Sequence, residues 1–481
     1  MQQMSQGLQP PVAGTLRMSP SPGFRTIVVG AGAVCGLAVA FVIGAGDQYI
    51  GPLIGLVLLT FAAYRPREGA ILGVLLGLLQ YGPTKALVIL PHSFVIVDDL
   101  LIVGVGVRWS LDTLLKGVGG PVWVMSWLCA WMLLGLFSAV ANGADLVTML
   151  LSYRMLFLPA ILYLASARYG GERRYSRWLV GVVIGVCILQ SVVAVAQALQ
   201  AGRVGDTSFG LLGSGGANAL GYLVLMGTAL IAAAEGRPLT RFAGVALGLL
   251  GIVCAAARAA IWIAPIGLLL TQSGRLRKPM RIVLVVGLAA AAAAAGFTLI
   301  AFGPSTTGAW ARLSPSVLLR AQSAPGGGGR LIYVKGLPTV LGSDPVLWAA
   351  GLGPGQYTSV TAQKDLPPAL LKVRVKKVHA SGFAFPDSEW TTVMGEYGVL
   401  GLVCFVALLS RPLWLWWRPS LRRLRRGRGV LAQVTRAAPT LVLVAVVGSL
   451  TTNFFENGIL SYPWWALVGL LEAARVREEG A

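Results

Sequence analysis

Apolar runs of membrane-crossing length recur along the whole chain. Stretches of about 17–25 residues with few charges alternate with short polar turns, the pattern of helices that span a bilayer. They fall at about 26–45, 49–64, 69–90, 93–107, 121–141, 146–166, 178–200, 216–234, 241–256, 259–273, 281–302, 391–410, 438–455 and 461–474. The third, fourth, tenth and last are short or interrupted. The pattern therefore predicts an all-α, polytopic membrane protein with about 12–14 transmembrane helices. Residues 1–24 are polar and Pro-rich and are read as a disordered cytoplasmic arm. They are not read as a cleaved signal, because the apolar run that follows is too long and lacks a cleavage site. The predicted order is transmembrane helices 1–11 over 25–302, a long loop over 303–390, C-terminal transmembrane helices over 391–474 and a cytoplasmic tail over 475–481.

Composition narrows this further. Of 481 residues, 56% are hydrophobic and 12% charged, against roughly 25% charged in an ordinary soluble domain. A soluble core grows more slowly than its chain and could not hide so much apolar surface. A soluble enzyme, a disordered protein and a disulfide scaffold are excluded on that ground.

The formal net charge of +21 would point to nucleic acid in a soluble protein. Here most basic residues flank apolar segments, so no nucleic-acid partner is expected. About two thirds of the 39 Lys and Arg fall in short loops on one side of an alternating path, which by the positive-inside rule puts both termini in the cytoplasm. The run Arg422-Arg423-Leu424-Arg425-Arg426 belongs to that side and reads as a lipid-facing patch. Cys35, Cys129, Cys187, Cys254 and Cys404 all lie inside apolar stretches, without the spacing of a zinc site. The only two histidines are His92 and His379, so a His-based metal site is not expected; no motif calls for a cofactor, and none is expected.

Positive charge on the outer side is what membrane insertion does not explain. Arg203 follows the seventh span, Arg258 stands between the ninth and tenth, and Arg330 follows the Gly326–Gly329 run. Arg258 has alanines on both sides, and a charge in small apolar surroundings at membrane depth is costly and marks a functional site. Each could instead snorkel from a helix end. Arginine forks grip phosphate or pyrophosphate bidentately. Arg154 lies within a span, and either joins that set or pairs with Asp98 or Asp99.

The second cluster is Pro386-Asp387-Ser388-Glu389-Trp390, ahead of Met394-Gly395-Glu396-Tyr397-Gly398. Asp387 can serve as a general base, or cap the helix that starts near Trp390. His379 competes for the base role. Gly351-x-Gly353-x-Gly355 lacks the strand–helix unit of a dinucleotide loop and reads as a tight turn. The segment 303–390 keeps enough apolar side chains, among them Leu331, Tyr333, Leu347 and Trp348, to fold onto the membrane as an ordered cap.

Four blocks together resemble the O-antigen ligase and O-antigen polymerase family, membrane enzymes that join lipid-linked oligosaccharides. They are Ser208-Phe209-Gly210 through Gly216-Ala217-Asn218-Ala219, then Ala257-Arg258-Ala259-Ala260. Next come Gly329-Arg330 with Asp344-Pro345 and Gly351–Gly355, and last Asp387-Ser388 with Glu396-Tyr397-Gly398-Val399-Leu400-Gly401.

The resemblance implies a GT-C-like helical fold and an inverting, metal-independent glycosyltransferase of the bacterial inner membrane, serving lipopolysaccharide and other cell-envelope polysaccharide biosynthesis. Its arginines hold undecaprenyl pyrophosphate, and Arg258 and Arg330 match those positions. The implied partners are an undecaprenyl-pyrophosphate-linked oligosaccharide, a glycan acceptor, membrane lipids, and a chain-length regulator or flippase. Ligases of the family carry His-Asn where this chain has Asp387-Ser388, which favours polymerase over ligase. A flippase for the same lipid is the alternative from another class; no repeat between the halves supports it.

Overall fold

The computed structural model describes residues 50–79, 97–116, 121–202, 208, 210–212, 216–272, 330–359, 362 and 388–479. Among these residues all regular structure is helical. The chain runs through α1 (Ile50–Tyr64), α2 (Pro66–Leu79), α3 (Val97–Lys116), α4 (Val122–Ala141), α5 (Leu146–Phe157), α6 (Ala160–Tyr169), α7 (Arg173–Ala201) and α8 (Ala217–Ala233). It continues with α9 (Pro238–Cys254), α10 (Arg258–Gln272), α11 (Arg330–Leu341), α12 (Pro345–Ala350), α13 (Glu389–Trp417), α14 (Pro419–Arg426), α15 (Val430–Thr451) and α16 (Gly458–Glu479).

Among the described residues, five stretches are long and apolar enough to cross a membrane: α4, α5 and α6 taken together as Leu146–Tyr169, α7, α13 and α15. These are the helices of an all-α membrane protein. The described parts of α1, α8, α9 and α10 are apolar but shorter. The expected spans at 26–45 and 281–302, the cytoplasmic arm and most of the expected 303–390 cap lie outside the described residues.

Sequence pattern explains which helices sit inside. α8 is apolar all round, and nearly every one of its residues is buried; a helix with no polar face belongs in a core. α16 is buried from Ile459 to Ala474 and lies against α2, α6 and α15. α4 shows the opposite, with Leu133, Phe137 and Val140 exposed on one face, as expected where lipid covers it. Small residues let the helices close up: a Cβ on Gly469 would lie 2.4 Å from the Tyr163 carbonyl oxygen.

Two helices differ from their sequence-predicted spans in an informative way. α15 begins at Val430, eight residues before the apolar run, because buried Arg436 has partners. Its guanidinium donates to the carbonyls of Ala233 (3.0 Å), Arg425 (3.0 Å) and Gly427 (3.1 Å), and pairs with Glu235 at 3.2 Å. α13 runs on to Trp417, past Arg411, whose charge is met by Glu472 of α16 at 2.9 Å. Hydropathy alone ends a span at an arginine; a satisfied arginine does not.

The loops rich in Lys and Arg gather at one end of the bundle. Ion pairs join them there: Arg67 with Glu172 (2.7 Å), Arg168 with Asp112 (3.0 Å) and Arg418 with Glu479 (3.2 Å). The turns at 142–145, 351–359 and 452–457 meet at the other end.

Candidate functional site

The first turns of α13 organise that other end. Ser388, and not Asp387, occupies the N-cap position, and the helix opens at Glu389, next to Trp390, where the sequence placed its start. Glu389 and Glu396 stand seven residues apart, two turns on one face. Both are buried, at 1% and 0% exposure. A buried carboxylate is costly unless hydrogen-bonded, and each here has backbone donors. Glu396 accepts from the N–H groups of Gly355 (2.8 Å), Tyr357 (3.1 Å) and Ser359 (3.1 Å). Glu389 accepts from Phe455 N–H at 3.0 Å, in the turn between α15 and α16. In that same turn Asn453 donates to the Thr358 carbonyl (3.2 Å) and to Glu456 (3.0 Å). Two carboxylates and an amide thus fasten the 351–359 turn, the 452–457 turn and α13 into one floor.

The glycine triplet is the second part. Gly351, Gly353 and Gly355 have φ of 75°, 103° and 78°, a region that L side chains rarely adopt. The space is closed as well: a Cβ would lie 2.3 Å from the Glu396 carbonyl carbon at Gly351 and 2.5 Å from Thr148 Cγ2 at Gly355. Leu352 and Gly353 donate to the carbonyls of Gly395 (3.0 Å) and Glu396 (2.9 Å). Just beyond, Gly398 is non-helical at φ 64° and breaks α13 where α12 crosses it. The tight turn expected from the sequence is therefore present, wrapped round a carboxylate.

α4 and α5 supply the rim. Ser138 and Asn142 donate to the Gly351 carbonyl at 2.6 and 3.2 Å. Asp145 caps α5 by accepting from the Thr148 N–H (2.8 Å) and hydroxyl (3.1 Å). Those hydrogen bonds hold its carboxyl below the usual range, and they fix the threonine that Gly355 abuts.

Of the residues singled out from the sequence, Arg258 is the first residue of α10 and Arg330 the first of α11. Arg203, His379 and Asp387 lie outside the described residues. α10 starts directly after Ala256, whose φ of +49° turns the chain out of α9. Its first turn packs on α8, where a Cβ on Gly221 would lie 2.2 Å from Ala257 Cβ. The next residue, Tyr222, hydrogen-bonds Thr451 at the end of α15, one residue before the turn that meets Glu389. α10 with Arg258 and α13 with Ser388 therefore open at the same end. α11 reaches the floor through its far end, where Leu337, Val340 and Leu341 pack with Tyr357 and Met394.

Arg154 is not a free cation. It pairs with Asp99, whose other oxygen accepts from Tyr462 at 2.9 Å, tying α3, α5 and α16 together. Among the described residues no three His, Cys, Asp or Glu gather as a metal site.

Sequence reasoning gave no role to Glu389, Glu396, Asn453 or Glu456. The signal was available: acids at a spacing of seven, ahead of a run otherwise free of charge, demand the same explanation as an intramembrane arginine. No protein-family model matches the chain, and no curated protein matches it.

Proposed function

We propose that the protein is an inverting, metal-independent membrane glycosyltransferase. It polymerises lipid-linked oligosaccharide repeat units from an undecaprenyl-pyrophosphate donor, on the outer face of a bacterial inner membrane. The observation that carries this reading is the common end at which Arg258 opens α10 and Ser388 opens α13. Asp387 immediately precedes Ser388 in the chain, and this reading assigns it and Arg258 to one site.

In this reading the acceptor hydroxyl attacks the anomeric carbon from the face opposite the pyrophosphate. Asp387, or His379 in its place, takes the hydroxyl proton as the new glycosidic bond forms. The bond to the pyrophosphate oxygen breaks, and Arg258, Arg330 and Arg203 receive the departing charge. Fixed cations aimed at a developing charge are among the strongest contributions to rate. The floor of Glu389, Glu396 and Asn453 keeps the surrounding turns in place.

The test is product formation by purified protein in nanodiscs with a polyprenyl-pyrophosphate oligosaccharide. The expected result is a ladder of longer lipid-linked chains, reduced roughly 100- to 1,000-fold in Arg258→Ala and Asp387→Ala. Transfer only to added lipid A core would make the enzyme a ligase. A donor carried across the bilayer with no new bond would make it a flippase.

A further inference from the structure

The opposite end of the bundle holds a cavity of about 770 Å³ among the ends of α7, α14, α15 and α16. Its lining includes Arg173, Arg177, Arg428 and Arg477, with Glu235 and Glu478. The geometry points to a binding site for a phosphate-bearing anion in this cavity, separate from the proposed transferase centre and independent of that reading.

Charge balance is the first argument. Glu235 is already spent on buried Arg436 at 3.2 Å, and neighbouring Glu172 on Arg67 at 2.7 Å. None of the four lining arginines has an ion-pair partner among the described residues, which leaves Glu478 as the one carboxylate to offset them. Positive-inside topology explains arginines in these loops. It does not explain four of them lining one concavity.

The second argument is that the cavity is built. Arg436 ties the carbonyls of Arg425, Gly427 and Ala233 together beneath it, and Gln433 donates to the Leu230 carbonyl at 2.9 Å. Arg173 and Arg177 stand four residues apart, on one face of the first turn of α7. Gly429 turns at φ 107° to start α15, and the N–H groups of Val430 and Leu431 precede the helical ladder at the cavity wall. Guanidinium forks and leading amides are together the donor set that phosphate oxygens accept from.

Two sources could supply that group, an acidic lipid headgroup or a soluble phosphate ester. Trp178 (59% exposed) adjoins Arg177, and Trp417 (62% exposed) ends α13 just before Arg418, which pairs with Glu479 beside the lining residue Glu478; exposed tryptophans next to basic residues suit a headgroup layer. Basic cavities between helix ends at that depth suit lipid headgroups.

Full-length protein in neutral detergent would be titrated with tetraoleoyl cardiolipin, dioleoylphosphatidylcholine, or glycerol 3-phosphate, following thermal unfolding and bound mass by native mass spectrometry. Arg177→Gln/Arg428→Gln is the pocket variant, and Arg174→Gln, one residue along α7 and outside the lining, is the control. A cardiolipin response that phosphatidylcholine lacks, weakened roughly tenfold in the pocket variant only, is expected for a headgroup seat. The same weakening of a glycerol 3-phosphate response would support the site with a soluble ligand. No anion response, or equal responses in parent and pocket variant, would overturn it. Should the double variant fail to fold, each single glutamine variant gives the same readout.

Discussion

Glu396 and the glycines around it define what single residues do here. Replacing Glu396 by alanine leaves three buried N–H donors without their acceptor, at about 1–3 kcal/mol for each group left unsatisfied. Glu396→Gln keeps an acceptor and is expected to lose less; the order of the two in thermal unfolding, with proteolysis at 351–359 as a local probe, checks the role. Gly355→Ala meets both a left-handed backbone and Thr148, and is expected to cost about 2–4 kcal/mol. A Gly355→Ala protein as stable as the parent would refute the close approach. Asp145 acts through pH: its carboxyl titrates lower folded than unfolded, so its stabilisation is present at neutral pH. That contribution disappears as pH falls through its lowered value, and Asp145→Asn should flatten that part of the acid-stability curve. The sequence shows these residue types but not their partners. The turn at Gly351–Gly355 was legible because glycine at alternate positions has few other uses. That Glu396 is what the turn closes on was not, because 41 residues separate Gly355 from its acceptor.

At the scale of helices, hydropathy recovers the long apolar helices and misplaces their ends, while α11, α12 and α14 carry no span-length signal. α13 and α15 outrun their apolar windows because Arg411 and Arg436 are buried with partners, which no local average can register. Arg411 pairs with Glu472 at 2.9 Å with both side chains at or below 8% exposure, and its guanidinium lies 4.5 Å from the Trp414 ring centroid. Without Arg411, Glu472 keeps Arg475 (2.7 Å) and the Tyr163 hydroxyl (3.2 Å), so Arg411→Ala is expected to cost about 1.5–3 kcal/mol for the charged hydrogen bonds lost. The double change Arg411→Met/Glu472→Met removes both charges and should recover most of that loss in thermal unfolding. A double variant no better than Arg411→Ala would mean that the ion pair is not what holds α13 to α16.

Across the whole molecule, the helices sort into a floor that joins three turns and a charged end that joins the basic loops. The sequence legibly separates the two, since Lys and Arg alternate by loop; the floor was hidden because its members, Glu389, Glu396 and Asn453, are single polar residues far apart in the chain. The topology makes a sharp expectation. In intact cells and in the proposed orientation, a cysteine placed at Gly143 should react with a membrane-impermeant maleimide, and one at Gly236 should be protected until the membrane is opened. The reverse pattern would invert the protein and remove the proposed outer active site.

The break at Gly398 also bears on how the chain is made. Residues 389–397 are held by the 351–359 and 452–457 turns, and only 399–417 form an uninterrupted helix beyond the break. The apolar segment handed to the insertion machinery is then the later one, free of both glutamates. Glu389 and Glu396 are then expected to arrive with the loop, from water, and to dock after the span is seated. On that order neither carboxylate crosses lipid uncompensated, and removing the break by making position 398 helical should show first as poor insertion during synthesis.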